Sequence, residues 1–187
     1  MFVIIISGSE ATGKTKMGKA IADILDCDYR GKDDIKEAMF DEHPRSTWHA
    51  KWYDNQAKNV LFNDLARAII NNKSIIIESN FIGQDKNKLE ALLNSNTEVV
   101  EIHCIAKGFT SLKRFIKRNE SGKRHKGHHD RRWYLNVFLQ DCLRMIGIDW
   151  PYRPMDLKGR ILKVDTTDFK NVNYNEIAEF IKNSKEL

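Results

Sequence analysis

The residues of this 187-residue chain that are best suited to chemistry form one glycine-rich segment near the N-terminus. The letters GSEATGKT match the pattern G-x-x-x-x-G-K-[ST] at Gly8, Gly13, Lys14 and Thr15. Glycines permit positive φ angles, so backbone N–H groups can close around phosphate oxygens. We expect Lys14 to reach the β- and γ-phosphates of ATP, and the Thr15 hydroxyl to hold Mg²⁺. The residues predicted to bind ATP in this segment are Gly8, Ser9, Glu10, Ala11, Thr12, Gly13, Lys14, Thr15 and Lys16.

The neighbouring sequence supports phosphate binding. The apolar run Phe2–Ser7 predicts a strand before the loop, and the amphipathic pattern of Lys14–Leu25 predicts a helix after it. Kinases, GTPases and ATPases all use this motif, but the chain lacks the N-K-x-D tetrapeptide that a guanine site needs. A chain of 187 residues also leaves little room for the coupling machinery of an ATPase. The pattern therefore favours a kinase, that is, a phosphotransferase.

The letters KDDIKEAMF at 32–40 supply a candidate acceptor site. Phosphoryl transfer to a hydroxyl needs a carboxylate near the acceptor that takes or orients its proton. Asp33 and Lys36 are three residues apart at a predicted helix start, so both can face one site. We expect Asp33 to be the catalytic base and Lys36 to bind the acceptor. For Asp34 the pattern favours a helix N-cap, with Glu37 as its capping-box partner.

The chain resembles the group of P-loop kinases that includes polynucleotide 5′-kinases, zeta toxins and chloramphenicol-phosphotransferase-like proteins. Polynucleotide kinases carry an R-D-D-x-R motif after the second strand, and 32–36 reads K-D-D-I-K. The resemblance implies that Asp33 is the general base and that Lys36 replaces an acceptor-binding arginine. Lysine cannot provide the bidentate fork of arginine, so a nucleic-acid acceptor is in more doubt than the kinase chemistry.

A third candidate element lies at the end of the predicted strand Ser74–Glu78. A carboxylate at this point can bind Mg²⁺ or orient the acceptor, and a solvated strand end is the alternative. The resembling kinases have a D-x-N or E-x-N element here. The resemblance therefore implies a metal-binding role for Glu78, beside Thr15, and acceptor-binding roles for Glu78 and Asn80.

The basic segment 107–132 has the composition of a kinase lid. Arg114 and Arg118 are i,i+4 neighbours, and like charges at this spacing cost roughly 0.2–0.5 kcal/mol, which suggests an anionic partner such as ATP. Lid cations can close over the γ-phosphate and exclude water. The resembling kinases have lid arginines at matching spacing, which implies catalytic roles for Arg118 and Arg124. A solvated basic helix is the alternative.

Three histidines, His125, His128 and His129, lie in the same segment. No cysteine or carboxylate near them completes a site at structural-zinc spacing. The pattern therefore favours a basic lid tip over a metal site.

Two remaining features have a structural and a functional interpretation. Trp48, Trp52 and Tyr53 could line an acceptor pocket, but their helical spacing favours core packing. The turn Val164–Thr167 follows the last predicted strand, and in similar kinases this turn packs near the adenine. An ordinary strand-to-helix turn fits its composition equally well.

Short β-branched runs alternate with helical patterns along the chain. The predicted strands are Phe2–Ser7, Cys27–Arg30, Ser74–Glu78, Glu98–Ile105 and Arg160–Val164. One predicted helix covers Lys14–Leu25, with Met17, Ile21, Ile24 and Leu25 facing inward. Another covers about Thr47–Asn71, with Ala57, Leu61, Leu65, Ala68 and Ile69 facing inward. A last helix starts with a capping box of Asn173 and Glu176. This alternation predicts an α/β fold: a three-layer, nucleoside-kinase-like P-loop NTPase fold with about five parallel strands. No linker divides the chain, so we expect one domain over 1–187, with a lid segment at about 107–132.

The composition limits the kinds of molecule that the protein is expected to bind. The net charge of +5 and the pI near 9.0 suit a protein that binds polyphosphates or nucleic acid, but much of the excess lies in the lid segment. The three cysteines form no CxxC pair, no export signal is visible and no apolar run approaches bilayer length, so we expect a cytoplasmic protein with no membrane partner.

The sequence thus predicts an ATP- and Mg²⁺-dependent kinase whose acceptor is a hydroxyl or phosphate of a small molecule or nucleotide. Two alternatives stay open. One is a polynucleotide 5′-hydroxyl kinase, although no stacking platform for nucleic acid is visible. The other is a nucleotide-binding regulator without catalysis.

Overall fold

The computed structural model describes residues 1–44, 50–122, 124–128, 134–148 and 152–183. The strands are β1 (Phe2–Ser7), β2 (Asp28–Gly31), β3 (Ile75–Glu78), β4 (Glu98–Ile105) and β5 (Arg160–Asp165). The helices are α1 (Lys14–Leu25), α2 (Lys32–Glu42), α3 (Ala50–Ile70), α4 (Gly83–Leu92), α5 (Thr110–Glu120), α6 (Tyr134–Met145) and α7 (Tyr174–Lys182), with a 3₁₀ turn at Phe169–Asn171. No helix in the described part of the chain has the length and apolar character needed to span a bilayer.

The five strands form one sheet in the order β2-β3-β1-β4-β5, and every neighbouring pair is parallel. Glu78 at the end of β3 is in register with both Ile6 of β1 and Gly31 of β2. The segments that follow β1, β2 and β3 therefore leave the sheet at the same edge. In open parallel sheets, ligands bind outside the carboxyl ends of the strands.

Side-chain alternation along β1 divides the core into two layers. Val3 and Ile5 pack on one face with Leu61 and Leu65 of α3. On the other face, Ile4 and Ile6 pack with residues of α1 and α7, including Met17, Ile21, Ile177 and Ile181. Helices thus cover both faces of a buried sheet, which confirms the predicted three-layer α/β fold.

The structure adjusts several predicted boundaries. β2 begins at Asp28 rather than Cys27, β3 begins at Ile75 rather than Ser74, and β5 extends to Asp165. The Ser74 hydroxyl accepts a hydrogen bond from the Phe2 backbone N–H at 3.0 Å. At this position a side-chain hydrogen bond therefore replaces a backbone hydrogen bond between strands. The helix predicted over Thr47–Asn71 ends at Ile70, and its predicted first residues lie outside the described ones.

The inward faces differ from the prediction in detail. Met17 and Ile21 are fully buried as expected, but Ile24 is exposed. In α3, the central residues Ala57, Leu61 and Leu65 are fully buried, while Ala68 and Ile69 are only partly buried. The Asn173 half of the predicted capping box of α7 is present: the Asn173 side chain accepts a hydrogen bond from the backbone N–H of Glu176.

A buried polar network anchors the segment after α6. The Ser7 hydroxyl donates to Glu101 Oε1 at 2.5 Å and lies 2.8 Å from His103 Nδ1. Glu101 also accepts from the backbone N–H of Met155 through both carboxylate oxygens, at 2.8 and 3.0 Å. A buried carboxylate satisfied in this way holds the backbone at Met155.

Candidate active site

The glycine-rich segment forms a loop between β1 and α1. Gly8 has φ +130° and Gly13 has φ +91°. A Cβ atom at Gly8 would overlap the carbonyl oxygen of Cys104, and one at Gly13 would overlap the ring of Phe169. Both positions therefore require glycine. Within the described residues no side chain caps the start of α1, so its first N–H groups stay available to an anion.

The lysine and hydroxyl of the loop point to the sheet edge. Lys14 is buried, and its Nζ donates to the Ser9 carbonyl at 2.7 Å. Thr15 Oγ1 donates to Glu78 Oε2 at 3.0 Å, and the Tyr29 hydroxyl donates to the same oxygen at 2.9 Å. The structure thus brings the predicted metal-binding hydroxyl and carboxylate into contact.

Glu78 is a buried carboxylate whose charge a nearby cation would stabilise. Burial raises its pKa, and this effect outweighs Lys14, which lowers it. A nearby divalent cation would compensate the cost of burying this charge. Oxygen donors from one carboxylate and one hydroxyl suit Mg²⁺, which keeps most of its other ligands as water and phosphate. Thr15 and Glu78 therefore fit a Mg²⁺ ion.

The start of α2 carries the predicted acceptor residues. Lys32 Nζ lies 3.4 Å from Asp33 Oδ1 and 3.0 Å from Asp54 Oδ1 of α3. Lys36 Nζ lies 3.1 Å from the same Asp54 oxygen, and its side chain is only 6% exposed. Two buried lysines therefore share one carboxylate from the neighbouring helix.

Asp33 is strongly acidic in this surrounding. Burial by itself raises the pKa of the Asp33 carboxyl, but neighbouring basic groups, above all Lys32, hold this pKa well below its usual range. The other groups that lower it are His128, Arg124 and Lys14. Asp33 therefore stays ionised at neutral pH and can accept a hydrogen bond from an acceptor hydroxyl.

Asp34 does not cap α2 as predicted. The helix starts three residues earlier than that cap would place it, at Lys32, so that Gly31 is the N-cap and Asp34 lies in the first turn. Its carboxylate forms an ion pair with Lys19 of α1 at 3.1 Å. The expected partner, Glu37, contacts His128 instead.

A second group of contacts lies around the turn after β5. Arg114 of α5 donates to the carbonyl oxygens of Thr166 and Thr167, at 2.6 and 3.1 Å. Its guanidinium lies 4.7 Å from the centroid of the Phe169 ring, and Lys16 Nζ lies 4.3 Å from the same centroid. Arg114, Lys16 and the turn after β5 thus meet beside the phosphate loop.

Glu10 connects the loop to two distant segments. Its Oε1 accepts hydrogen bonds from Asn80 Nδ2 at 3.0 Å and from the Tyr152 hydroxyl at 2.9 Å. Asn80, predicted to bind the acceptor, therefore also supports the loop. Burial next to Glu10 raises the pKa of the Tyr152 hydroxyl, so this group stays protonated and donates.

Sequence reasoning missed Arg144 of α6. Its guanidinium donates to the Ser9 hydroxyl of the phosphate loop, to Ser111 Oγ of α5 at 3.1 Å, and to the fully buried Asp141. The second oxygen of Asp141 accepts from the Leu112 backbone N–H at 2.9 Å. This network joins α5 and α6 to the loop. Nothing in the sequence around Arg144 indicates that contact.

A cavity of about 490 Å³ lies at the carboxyl edge of the sheet. The predicted site residues that line it are Glu10, Ala11, Gly13, Lys14, Thr15, Asp33, Lys36, Glu78, Asn80, Arg114, Arg118 and Arg124. Gly8, Ser9, Thr12 and Lys16 do not line it. Lining residues that the sequence did not single out are Lys32, Asp54, Asn55, Lys58, Ser79, Ile82, Phe115 and Tyr152. Asp54 and Lys58 are i,i+4 neighbours on α3, a spacing that places them on one face and was the available signal.

The aromatic and histidine features divide. Tyr53 is buried as expected, whereas Trp52 is 38% exposed, so core packing was wrong for Trp52. Neither ring lines the cavity, and Trp48 lies outside the described residues. His128 lines the cavity, and His129 also lies outside the described residues. In the described part of the chain, no cluster of three or more His, Cys, Asp or Glu side chains could hold a metal ion.

A parallel sheet in this order, with a glycine-rich phosphate loop between β1 and α1, defines the P-loop kinase type of α/β fold. The chain is 30% identical to a protein from Chloroflexus aurantiacus J-10-fl described as a "putative kinase", over 98% of both chains, with a TM-score of 0.86. It belongs to the family of that protein.

More distant similarities extend over the whole fold. Shikimate kinase from Bacteroides thetaiotaomicron shares 12% identity over 100% of this chain and 99% of its own, with a TM-score of 0.57. Shikimate kinase from Acinetobacter baumannii, in complex with shikimate, shares 13% identity over 98% and 95%, with a TM-score of 0.56. At these identities the likeness concerns the fold alone. No protein-family model and no curated protein matches the chain.

Proposed function

We propose that this protein is an ATP- and Mg²⁺-dependent kinase that transfers the γ-phosphate to a hydroxyl or phosphate of a small molecule or nucleotide. The observation that carries the proposal is the shared cavity: Lys14 and Thr15 of the phosphate loop line it together with Asp33 and Lys36 of α2. Donor and acceptor groups that line one cavity can be held in reacting geometry. The kinase-type relative from Chloroflexus supports the same reaction class.

On the donor side, the loop N–H groups and Lys14 bind the β- and γ-phosphates. Thr15 and Glu78 would hold Mg²⁺, which neutralises charge that develops on the phosphates. Arg114 and Phe169 lie where a base can stack, next to the turn that contains Thr166. Arg118 and Arg124 line the cavity and stabilise the transferring group.

On the acceptor side, the ionised Asp33 accepts a hydrogen bond from the attacking hydroxyl and orients its lone pair toward phosphorus. Lys36 is fixed by Asp54 and can hold a polar or anionic part of the acceptor. Asn80 adds an amide to the lining of the same cavity. Catalysis then consists of positioning and charge stabilisation.

The segment 107–132 acts as a lid on one domain that comprises the whole chain. α5 presents Arg114 and Arg118 to the cavity, and 124–128 presents Arg124 and His128. Closure around a bound nucleotide excludes water, which strengthens these charge interactions.

The likeness of 32–36 to the polynucleotide kinase motif supports the roles of Asp33 and Lys36 rather than a nucleic-acid acceptor. Both residues line the cavity, as the motif requires. Lys36 is held by Asp54 and buried, so it is poorly placed to follow an extended phosphate backbone.

Radiolabel transfer from Mg²⁺-[γ-³²P]ATP to a panel of acceptors tests the proposal. The panel contains sugars, amino alcohols, chloramphenicol- and aminoglycoside-like alcohols, hydroxy acids, nucleosides, nucleotides and 5′-hydroxyl oligonucleotides. We expect transfer to one small-molecule or nucleotide class, with kcat lowered by about 10²–10⁴-fold in Asp33→Asn. Asp34→Asn is the matched control, because Asp34 faces Lys19 and not the cavity, and it should keep the wild-type kcat.

Three outcomes separate the alternatives. Transfer that Asp33→Asn retains would refute the assigned acceptor side. Transfer to oligonucleotides alone would favour the polynucleotide 5′-hydroxyl kinase. Tight binding of Mg²⁺-ATP without transfer to any acceptor, water included, would favour the nucleotide-binding regulator.

A further inference from the structure

The residues 124–128 dock on α2 through two histidines. His125 Nε2 lies 3.1 Å from Asp41 Oδ1, and His128 Nε2 lies 2.8 Å from Glu37 Oε1. The two carboxylates are i,i+4 neighbours on the helix, so the two histidines contact successive turns of one face. Between them, Gly127 packs directly against Phe40.

The two histidines differ in what they face. His128 is 4% exposed and lines the cavity that contains Asp33. His125 is 24% exposed, packs edge-on against Phe40 and does not line the cavity. His128 therefore lies in the cavity proposed for the reaction, whereas His125 only holds the segment 124–128 on α2.

The contact with Glu37 orients the His128 ring. A carboxylate can only accept in this bond, so Nε2 carries the proton and Nδ1 keeps its lone pair. The same arrangement of carboxylate and imidazole fixes the tautomer of histidines that act as bases in other enzymes.

The electrostatic surroundings keep this ring neutral. Burial lowers the pKa of His128, and Arg124 and Lys36 lower it further, while Asp33 and Glu37 raise it, with a net shift below the usual value. The pKa of Asp33 is held even lower, so Asp33 binds a proton weakly. Of these two groups on the acceptor side of the cavity, His128 has the higher proton affinity.

We propose that His128 is the proton acceptor of the transfer reaction, and that Asp33 orients the acceptor hydroxyl. The inference rests on the proposed kinase function. As the acceptor oxygen forms its bond to the γ-phosphorus, the bond from that phosphorus to the bridging oxygen breaks and ADP leaves. The hydroxyl proton, which is hydrogen-bonded to Asp33, passes through this carboxylate to Nδ1 of His128, and the imidazolium then releases it to water.

The test compares pH profiles of kcat between pH 5 and 9 with Mg²⁺-[γ-³²P]ATP. Two probes serve as acceptor: water, measured as phosphate release, and the panel alcohol that the wild type phosphorylates fastest. We expect wild-type kcat to fall at acid pH as His128 becomes protonated. His128→Gln should lower kcat at pH 7.5 by about 10²-fold or more. It should also abolish the fall of kcat at acid pH, that is, the acid limb of the profile.

Two further variants make the result specific. In Glu37→Gln the ring loses a carboxylate that raises its pKa, so the acid limb should move to lower pH. His125→Gln is the matched control: it removes the outer contact of the same segment and should keep both kcat and the limb. If His128 had only a structural role, His128→Gln would still lower kcat. Glu37→Gln, however, would leave the acid limb at its wild-type pH.

The outcomes are distinct. Wild-type transfer with an acid limb that His128→Gln retains would overturn this inference and leave the kinase function intact. An acid limb that disappears in Asp33→Asn but not in His128→Gln would assign the base to Asp33 and overturn it as well. Absence of transfer and of phosphate release by the wild type would refute the proposed function, and this inference with it.

Discussion

Asp54 should contribute measurably to folding stability, because it is the shared partner of two buried lysines. Its Oδ1 lies 3.0 Å from Lys32 Nζ and 3.1 Å from Lys36 Nζ. The lysine side chains are 14% and 6% exposed, and that of Asp54 is 38% exposed. Breaking a fully buried pair costs about 3–5 kcal/mol. Because solvent reaches Asp54 and screens it, we expect about 2 kcal/mol for Asp54→Asn, which keeps the shape and removes the charge.

Thermal and urea unfolding measure this difference. About 2 kcal/mol corresponds to a Tm lowered by about 4–8 °C in a chain of this size. Burial raises the pKa of Asp54, but Lys32 and Lys36 lower it further, and the net shift is downward. A carboxylate with a lowered folded-state pKa contributes stability above its unfolded pKa of about 3.9, and loses this contribution as pH falls through the folded value. The difference between wild type and variant should therefore be complete at pH 7 and shrink in acid.

A matched control removes a carboxylate from an exposed pair. Glu90 lies 3.8 Å from Lys86 on the surface of α4, and Glu90→Gln should change stability by less than about 0.5 kcal/mol. Equal stability of Asp54→Asn and wild type at pH 7 would refute the reasoning, because the two lysines would then need no counter-charge.

Two further predictions concern the nucleotide side. Gly13→Ala should weaken Mg²⁺-ATP binding by at least about 10-fold in calorimetry, because the φ of +91° and the Phe169 ring exclude a Cβ. Gly83→Ala is the control and should bind normally, because there is open space around Gly83. Equal binding by both variants would contradict the loop geometry. Glu78→Gln should raise the Mg²⁺ concentration needed for half-maximal activity by about 10-fold, with ATP binding in EDTA unchanged. An unaltered Mg²⁺ requirement would remove Glu78 from the metal site.

The sequence contained most of the information about the sheet. Near-continuous apolar runs such as Phe2–Ser7 and Glu98–Ile105 have the observed bounds, because strands buried on both faces need no polar alternation. Strands whose ends are set by single side-chain contacts were displaced by one residue, as at Ser74, whose hydroxyl bonds to Phe2. Local patterns do not encode such partners 72 residues apart.

The site was predictable where a motif fixes the backbone and not where tertiary contacts decide. The loop from Gly8 to Thr15 carries its own conformation in its glycines. Asp34 fits the pattern of an N-cap, but the helix begins at Lys32, and Lys32 pairs there with Asp54 from another helix. The roles of Arg144 and Tyr152 depend on α6 and the following segment reaching the loop, which only the fold determines.

Calorimetric titration with Mg²⁺-ATP tests the central claim most directly, because every assignment depends on nucleotide phosphates at Lys14. The matched variants are Lys14→Ala and Lys19→Ala, since Lys19 lies on the same helix but pairs with Asp34. We expect the wild type and Lys19→Ala to bind Mg²⁺-ATP with similar affinity, and Lys14→Ala to bind at least about 10–100-fold more weakly, a loss of about 1.4–2.8 kcal/mol. Absence of binding by the wild type, or equal binding by Lys14→Ala, would contradict the account.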